Sequence, residues 1–469
     1  MRATGTRSEP ELPLGIRGFS TIGIEIPLIA AWAAITIAIT IRNGAFTNEA
    51  FLLVLMAVLA LALAVANRSS QSKLTYVRGA VGVALATGTF VSVYFPAGIY
   101  GSGGFLALSR GVTTASAAVA MIWALLNLDN SRRVTYAIVV AMSLAGVSMI
   151  LSSPKPAIDV WYMLQAATGG LSHGHNFYTL QWTSGIPLEV KNQFVYLPGA
   201  AVLLWPFHAV FGDVRYGLLL AMVGTAVILT RVTTARALAL LPCLALLYPK
   251  AMFGLEQSWV DPLVLFAVCL TAYLVLRGHP NWAMAALVIG LICKQTCWLL
   301  LPLAIIWKDF GWRRTAAATG GALIFILPWV VAAPGSFYGG AIRYNLFLSP
   351  RSDSLSLYSL ALRHGVRPGL AMTAAALLVA FALAMWRLHL STGGLLISAA
   401  FVMAAFNLTD KVAFFNEWGL AAGLTLAAVA FGCGQRADSH WVDSAGQLDC
   451  KVETPKPAPP DLTLIGTNR

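Results

Sequence analysis

Charge is what this sequence has least of. Lys, Arg, Asp and Glu together make up 11% of its 469 residues, less than half the roughly 25% of a soluble globular domain. That scarcity excludes a disordered chain and an ordinary cytosolic enzyme. Cysteine is also scarce, and Cys243, Cys269, Cys293, Cys297, Cys433 and Cys450 sit mostly within or beside apolar runs. They lack the loop spacing of a disulfide framework or a zinc site, so free thiols are expected and no metal box is visible. Acidic residues are outnumbered by basic ones, 19 against 31, yet the surplus is no nucleic-acid footprint. The Lys and Arg stand singly or in pairs between apolar runs, where they mark membrane edges.

Hydrophobic sequence is what the chain has in excess: 58% of residues are apolar, and the mean hydropathy is +0.74. A spanning helix needs about 20 apolar residues, or about 17 at the short end. Segments 24–41, 50–66, 79–97, 111–127, 134–152, 216–232, 236–252, 260–276, 315–333, 369–386, 392–406 and 415–432 meet this or nearly so. The run 281–307 is too long for one span and breaks at Lys294-Gln295, which predicts two short helices, 281–293 and 295–307, meeting at one face. The run 196–211 contains Pro198 and Pro206 and is short enough to be re-entrant. The fold class that follows is all-α, a polytopic transmembrane helix bundle of about 14 spans, within a range of about 12–15. Arg2, Arg7 and Arg17 precede the first run without a small-residue cleavage site, so that run reads as an uncleaved helix.

Charge arbitrates orientation. With a cytoplasmic N-terminus and a non-crossing 196–211, most Lys and Arg fall inside, Lys308, Arg313 and Arg314 among them. The protein then lies in the cell membrane as a multi-pass chain with both termini cytoplasmic. Two long loops, 153–195 and 334–368, are extracytoplasmic. Residues 434–469 change composition abruptly, with the stretch TPKPAPPDL, and predict a disordered cytoplasmic tail.

The first long loop carries Asp159, aromatic residues, His173 and His175, and then Tyr196 before the next apolar run. A carboxylate at a membrane surface can take a proton from an acceptor hydroxyl, and it can equally cap the helix that follows it. The two histidines could ligate a metal, but no third ligand accompanies them. GLEQSWVDPLVLF places Glu256 and Asp261 at a span edge, where Asp-Pro suits a helix start and Glu256 has no evident local task. Lys294 interrupts an apolar run, where an ammonium must snorkel or find a partner such as a lipid phosphate. The second long loop holds Arg343, Arg351, Arg363, His364 and Arg367 against one acid, Asp353. Guanidinium groups bind phosphate oxygens two at a time. FNLTDKVAFFNEWGL adds Asp410, Lys411, Asn416 and Glu417, which also suit ordinary helix ends.

Taken in order, Asp159, FVYLPGAAVLLWPFHAVFGDVRYG, LEQSWVDPL, CKQTCWLLLPL, RSDSLSLYSL and KVAFFNEW resemble the GT-C superfamily of membrane glycosyltransferases. The bacterial polyprenol-phosphate-mannose-dependent α-mannosyltransferase-like branch is the most similar. The resemblance covers residues 134–433 and leaves helices 1–133 outside it, with no role assigned. It implies a transferase core at 134–433 that moves mannose, or a pentose such as arabinose, from a polyprenyl-phosphate donor to a glycan or glycolipid acceptor at the outer face. Asp159 would be the general base, and Lys294, Arg343 and Lys411 would hold the donor phosphate. Glu256, His173, His175, Tyr196 and Asp353 remain substrate-binding candidates. Some relatives require a divalent metal and others none, and no cofactor is required by this sequence. A secondary transporter and a lipid-linked glycan polymerase or ligase are the competing readings. Transporters place ionisable groups near the midplane within internal repeats, whereas here the polar groups gather at one face.

Overall fold

The computed structural model describes residues 23–66, 74–95, 98–181, 193–233, 238–247, 250–387 and 391–446. Among them there is no strand, only an isolated bridge between Ala45 and Ser354. The helices are α1 (Glu25–Thr40), α2 (Asn48–Ala66), α3 (Leu74–Tyr94), α4 (Gly103–Leu125), α5 (Ser131–Ser152), α6 (Asp159–Ser172), α7 (Pro198–Phe211) and α8 (Arg215–Val232). Next come short pieces, a 3₁₀ turn at Leu241–Cys243 followed by α9 (Leu244–Leu247) and α10 (Ala251–Glu256). Then come α11 (Asp261–Leu276), α12 (Pro280–Cys293), a 3₁₀ stretch Gln295–Leu300 leading into α13 (Leu301–Ile306), and α14 (Gly311–Ala332). The chain ends with α15 (Pro334–Phe337), a π-helical turn Tyr338–Tyr344, α16 (Asn345–Phe347), α17 (Leu357–Arg363), α18 (Leu370–Arg387), α19 (Thr392–Thr409) and α20 (Phe415–Gly446).

Eight of these helices are long and apolar enough to cross a membrane, and five shorter stretches are apolar throughout. Helices satisfy their own backbone groups, which lipid cannot do for them. The outward surfaces agree with that solvent: α4 exposes Phe105, Leu108, Ile122 and Leu125, and α14 exposes Leu323, Ile324, Leu327 and Val331. Such continuous apolar faces mark an interaction or membrane surface rather than a water-facing one. The chain is a helical membrane protein. α19 is enclosed around nearly its whole circumference, with α18, α20 and α2 packed about it.

Several expectations change in detail. The segment 236–252 is not one helix, because Pro242 opens a 3₁₀ turn and the helical pieces beyond it are short. The long loops hold helices of their own, α6 in the first and α15 to α17 in the second. α20 continues to Gly446, beyond the expected start of the tail, and residues 447–469 lie outside the described residues. The N-terminal helices, to which the sequence assigns no role, pack into the same bundle: α1 against α2, α3 and α20, and α2 against α19.

Interhelical bonds sort the connections into two ends of the bundle. At one end Phe46 N donates to Asp353 O (2.8 Å), Ser102 N to Ser152 O (3.0 Å), Leu197 N to Cys293 O (3.3 Å) and Leu355 N to Ala413 O (2.8 Å). At the other, Arg78 donates to Ala124 O (3.3 Å) and Arg132 to Thr233 O (3.0 Å). Both termini of α7 lie at the first end, Leu197 beside Cys293 and Arg215 beside Ser153. The short, proline-containing α7 therefore does not traverse the bundle.

Glu256 ties the N-terminal helices to this end. Its buried carboxylate accepts from the backbone N–H groups of Ile99 (2.6 Å), Tyr100 (3.0 Å) and Gly101 (2.8 Å), in the connection between α3 and α4. The local task missing from the sequence is thus a distant one. A Cβ on Gly98 would stand 2.5 Å from Glu256 Oε1, so only glycine lets the chain pass so close. Glu256→Ala would strand three N–H groups, each costing about 1–3 kcal/mol when left unpaired. Thermal unfolding in detergent should show a loss of about 3 kcal/mol or more, and an unchanged midpoint would remove Glu256 from this role.

Candidate functional site

The site end is organised around α6, which presents Asp159 in its first turn. The anchor is Arg215, fully buried at the start of α8. Its guanidinium binds the Asp213 carboxylate (2.6 Å from Nη2 to Oδ2), Ser153 Oγ (2.9 Å) and Ser153 O (2.8 Å). Asp213 in turn accepts from the Trp161 indole (3.2 Å), two residues beyond Asp159. Gln165, one turn further along, donates to Gly212 O (2.9 Å) and accepts from Val214 N (3.2 Å). The tight α7–α8 connection, with Gly212 at φ +76°, thus fixes one face of α6.

Asp159 itself is solvent-accessible. Its Oδ1 accepts from Val160 N at 2.8 Å. Enough protein surrounds it that desolvation raises its pKa, against the lowering influence of backbone hydrogen bonds and of Arg351. Asp159 is thus open to solvent and still partly desolvated by the protein around it. Burial raises the pKa of Tyr344, and the negative charge of Asp159 adds to that shift. Burial, then Glu256 and Asp159, do the same for Tyr100. Arg351 is fixed by Asp353 through two bonds of 3.0 and 2.7 Å and stacks over Phe414 at 4.5 Å. Its partnership with Arg351 holds the Asp353 carboxyl below the usual range.

Near Asp159 lies a buried charge cluster. Lys294 stands in the break between α12 and the following 3₁₀ stretch, and its Nζ contacts both Asp261 oxygens at 2.8 and 2.9 Å. Glu417 Oε1 is 3.8 Å from the same ammonium. Asn416 donates to Glu417 Oε1 at 2.5 Å and reaches Asp261 Oδ2 at 3.4 Å. Tyr196 is buried, and the charges of Asp261, Asp159 and Glu417 all reach it. The neighbouring backbone is close-packed: a Cβ on Gly199 would sit 2.3 Å from Ile292, and one on Gly340 2.3 Å from Phe194 O. Gln295 and Asn345 both donate to the carbonyls of Val195 and Ala341, locking these segments together.

The remaining candidates fall outside this arrangement or at its rim. Glu256 is committed to the 99–101 backbone. His173 and His175 are exposed, their ring centroids 6.2 Å apart, with His173 Nδ1 2.8 Å from Gly169 O. No group of three potential metal ligands occurs among the described residues. Arg343 is exposed on the π-helical turn. Lys411 is buried, with its ammonium donating to Leu346 O at 2.6 Å. Adjacent Asp410 is raised to about 6 by burial. Lys294 needs a correction: it is not a bare cation awaiting a phosphate, because Asp261 already neutralises it.

Sequence reasoning passed over Asp261 as a helix start and Asn416 and Glu417 as helix ends. The signal was parity: the span count puts Lys294, Asp261 and Glu417 at one face, where an isolated lysine needs acids. Tyr100 and Tyr344 carry no local pattern that marks a site, and Arg351 stands out in the sequence only as one of the arginines of the second long loop. Comparisons with protein-family models, curated proteins and solved structures return no match.

Removing one partner of a buried ion pair costs about 3–5 kcal/mol because the other charge is left uncompensated. Lys294→Met should therefore destabilise the protein by about that amount. Adding Asp261→Asn should recover a measurable part of it, since neighbours in one network are not additive. Thermal unfolding of the four-member cycle checks this, and strictly additive losses would dissolve the pair.

Proposed function

We propose that the chain is an integral membrane glycosyltransferase of GT-C type with about 14 spans, its site end extracytoplasmic. It would transfer mannose, or a pentose such as arabinose, from a polyprenyl phosphate to a glycan or glycolipid. The observation that carries this reading is Asp159, a solvent-accessible carboxylate whose pKa is raised by partial desolvation, on a helix end locked by the Arg215–Asp213 node.

In the proposed reaction the Asp159 carboxylate takes the proton of an acceptor hydroxyl as its oxygen attacks the anomeric carbon of the donor sugar. The bond from that carbon to the phosphate oxygen breaks, and the electron pair leaves on the polyprenyl phosphate. A sugar hydroxyl is a poor nucleophile and the phosphate a competent leaving group, so proton removal is the help required. Arg343 and Lys411 remain the cations for the donor phosphate, joined by Arg351, whose charge reaches Asp159. Lys294 instead sets the shape of the neighbouring wall.

General base catalysis contributes about 10²–10⁴ in rate. Asp159→Asn keeps the volume and a capping oxygen, so it should fold and bind donor yet turn over at least about a hundredfold more slowly. Retention of more than about a tenth of wild-type turnover would exclude the base role. The base form of Asp159 disappears as pH falls through a pKa raised above 3.8. The acid limb of kcat/KM should lie above that value, and Arg351→Gln, which removes a lowering charge, should move it higher still. A pH–rate profile of both proteins decides this.

Charge-assisted bonds to phosphate are worth about 1.5–3 kcal/mol. Arg343→Ala should weaken donor binding roughly tenfold to a hundredfold, with thermal stability unchanged because the side chain is exposed. An unaltered donor dissociation constant would take Arg343 out of the site.

A further inference from the structure

Directly behind the charge cluster, a slot runs into the bundle between α1, α8, α9, α10, α11 and α20. It holds about 790 Å³ of atom-free space, its open mouth included. Its walls are apolar side chains such as Trp32, Leu229, Leu244, Leu265 and Leu426. The one hydroxyl among its lining residues, Thr225 Oγ1, is turned onto its own helix at Ala221 O (2.9 Å). Polar character is concentrated at one end, where Asp261 and Asn416 line the slot. From Asn416 to Leu426 the slot follows ten residues of α20, or about 15 Å at the helical rise. That is half of a bilayer's roughly 30 Å hydrocarbon core, the depth of a chain from one leaflet.

The head end has a definite charge preference. The Lys294 ammonium is already taken by Asp261, and Glu417 adds a second acid 3.8 Å from it, so no uncompensated cation is left to hold an anionic head. Carboxylate and amide oxygens accept hydrogen bonds from hydroxyl groups. We propose that this slot binds the hydrocarbon chain of a neutral lipid whose head is rich in hydroxyl groups, with that head bonded to Asp261 and Asn416. Tyr196 is within electrostatic reach of both Asp261 at this head position and Asp159. Naming the lipid as the acceptor rests on the glycosyltransferase reading, whereas the binding site itself does not.

The test is photolabelling of the full chain in phosphatidylcholine nanodiscs. Two probes are used, an alkyl glucoside with a diazirine in its chain and the same chain bearing a phosphate head. Mass spectrometry should place the glucoside label on the 420–426 and 222–229 peptides, at least tenfold above the alkyl phosphate. Unlabelled alkyl glucoside should compete it away. Ala245→Trp, which fills the slot from α9, should reduce labelling at least fivefold. Equal or stronger labelling by the phosphate probe, or label confined to the lipid-facing surfaces of α4 and α14, overturns the proposal. If Ala245→Trp does not fold, competition on the wild-type protein decides. Labelling as expected with no transferase activity would sink the enzymatic reading alone.

Discussion

An ionised side chain inside an apolar helix bundle has to be met by an opposite charge or by several hydrogen bonds, because desolvating it alone costs more than the fold can supply. That constraint shapes the functional end of this protein. Arg215 is met by Asp213 and two oxygens of Ser153, Lys294 by Asp261 and Glu417, and Glu256 by three backbone N–H groups. Each of these nodes joins segments distant in sequence. The first holds α6 to the start of α8, the second holds the break after α12 to the starts of α11 and α20, and the third holds the α3–α4 connection to α10. Charges scarce enough to define the chain as a membrane protein are therefore also its long-range fasteners.

The all-helical, membrane-type character of the chain was legible in the sequence because it depends on apolar length, and some helix breaks were legible because Pro, Gly or a lone Lys make them visible. The division of 281–307 at Lys294 and the non-traversing 196–211 follow from such local signals. The breaking of 236–252 was less legible, since its run remains apolar on both sides of Pro242. Helix α6 was hidden within a stretch long enough to read as a loop, although Asp159 was marked as a possible helix start. For the site, the sequence could nominate charged residues but not pair them. Asp261 reads as a helix start on local grounds and is one, yet its carboxylate also serves a lysine 33 positions away. Local and long-range roles coexist in one side chain, and only the fold reveals the second.

The same distinction separates Asp159 from its neighbours. The other carboxylates of the site end are largely spent: Asp213 on Arg215, Asp261 on Lys294, Asp353 on Arg351, Glu256 on backbone. Asp410 is adjacent to Lys411, and Glu417 belongs to the buried cluster. Asp159 accepts from the backbone N–H of Val160 and combines accessibility with partial desolvation. A general base needs spare acceptor capacity and a pKa drawn toward the working range; Asp410 is also raised, to about 6, but it is less exposed, whereas Asp159 is open to an incoming hydroxyl. This is a physical argument independent of the order of motifs that first drew attention to the residue.

Placement of the charges also bears on the transporter alternative. A transporter built on alternating access needs its ionisable groups near the midplane, reachable from each side in turn. Here the Lys294 cluster sits where α11, α12 and α20 all begin or end, and Asp159 lies on a helix attached beside the end of α5 rather than within a spanning element. The slot that does extend inward is apolar along its length and polar only at its mouth, the opposite of an ion path. A site confined to one end, with an apolar recess below it, suits chemistry performed on a lipid that remains in one leaflet. On the proposed reading the bundle would be the wall for that lipid, with its buried ion pairs fixing the wall relative to Asp159.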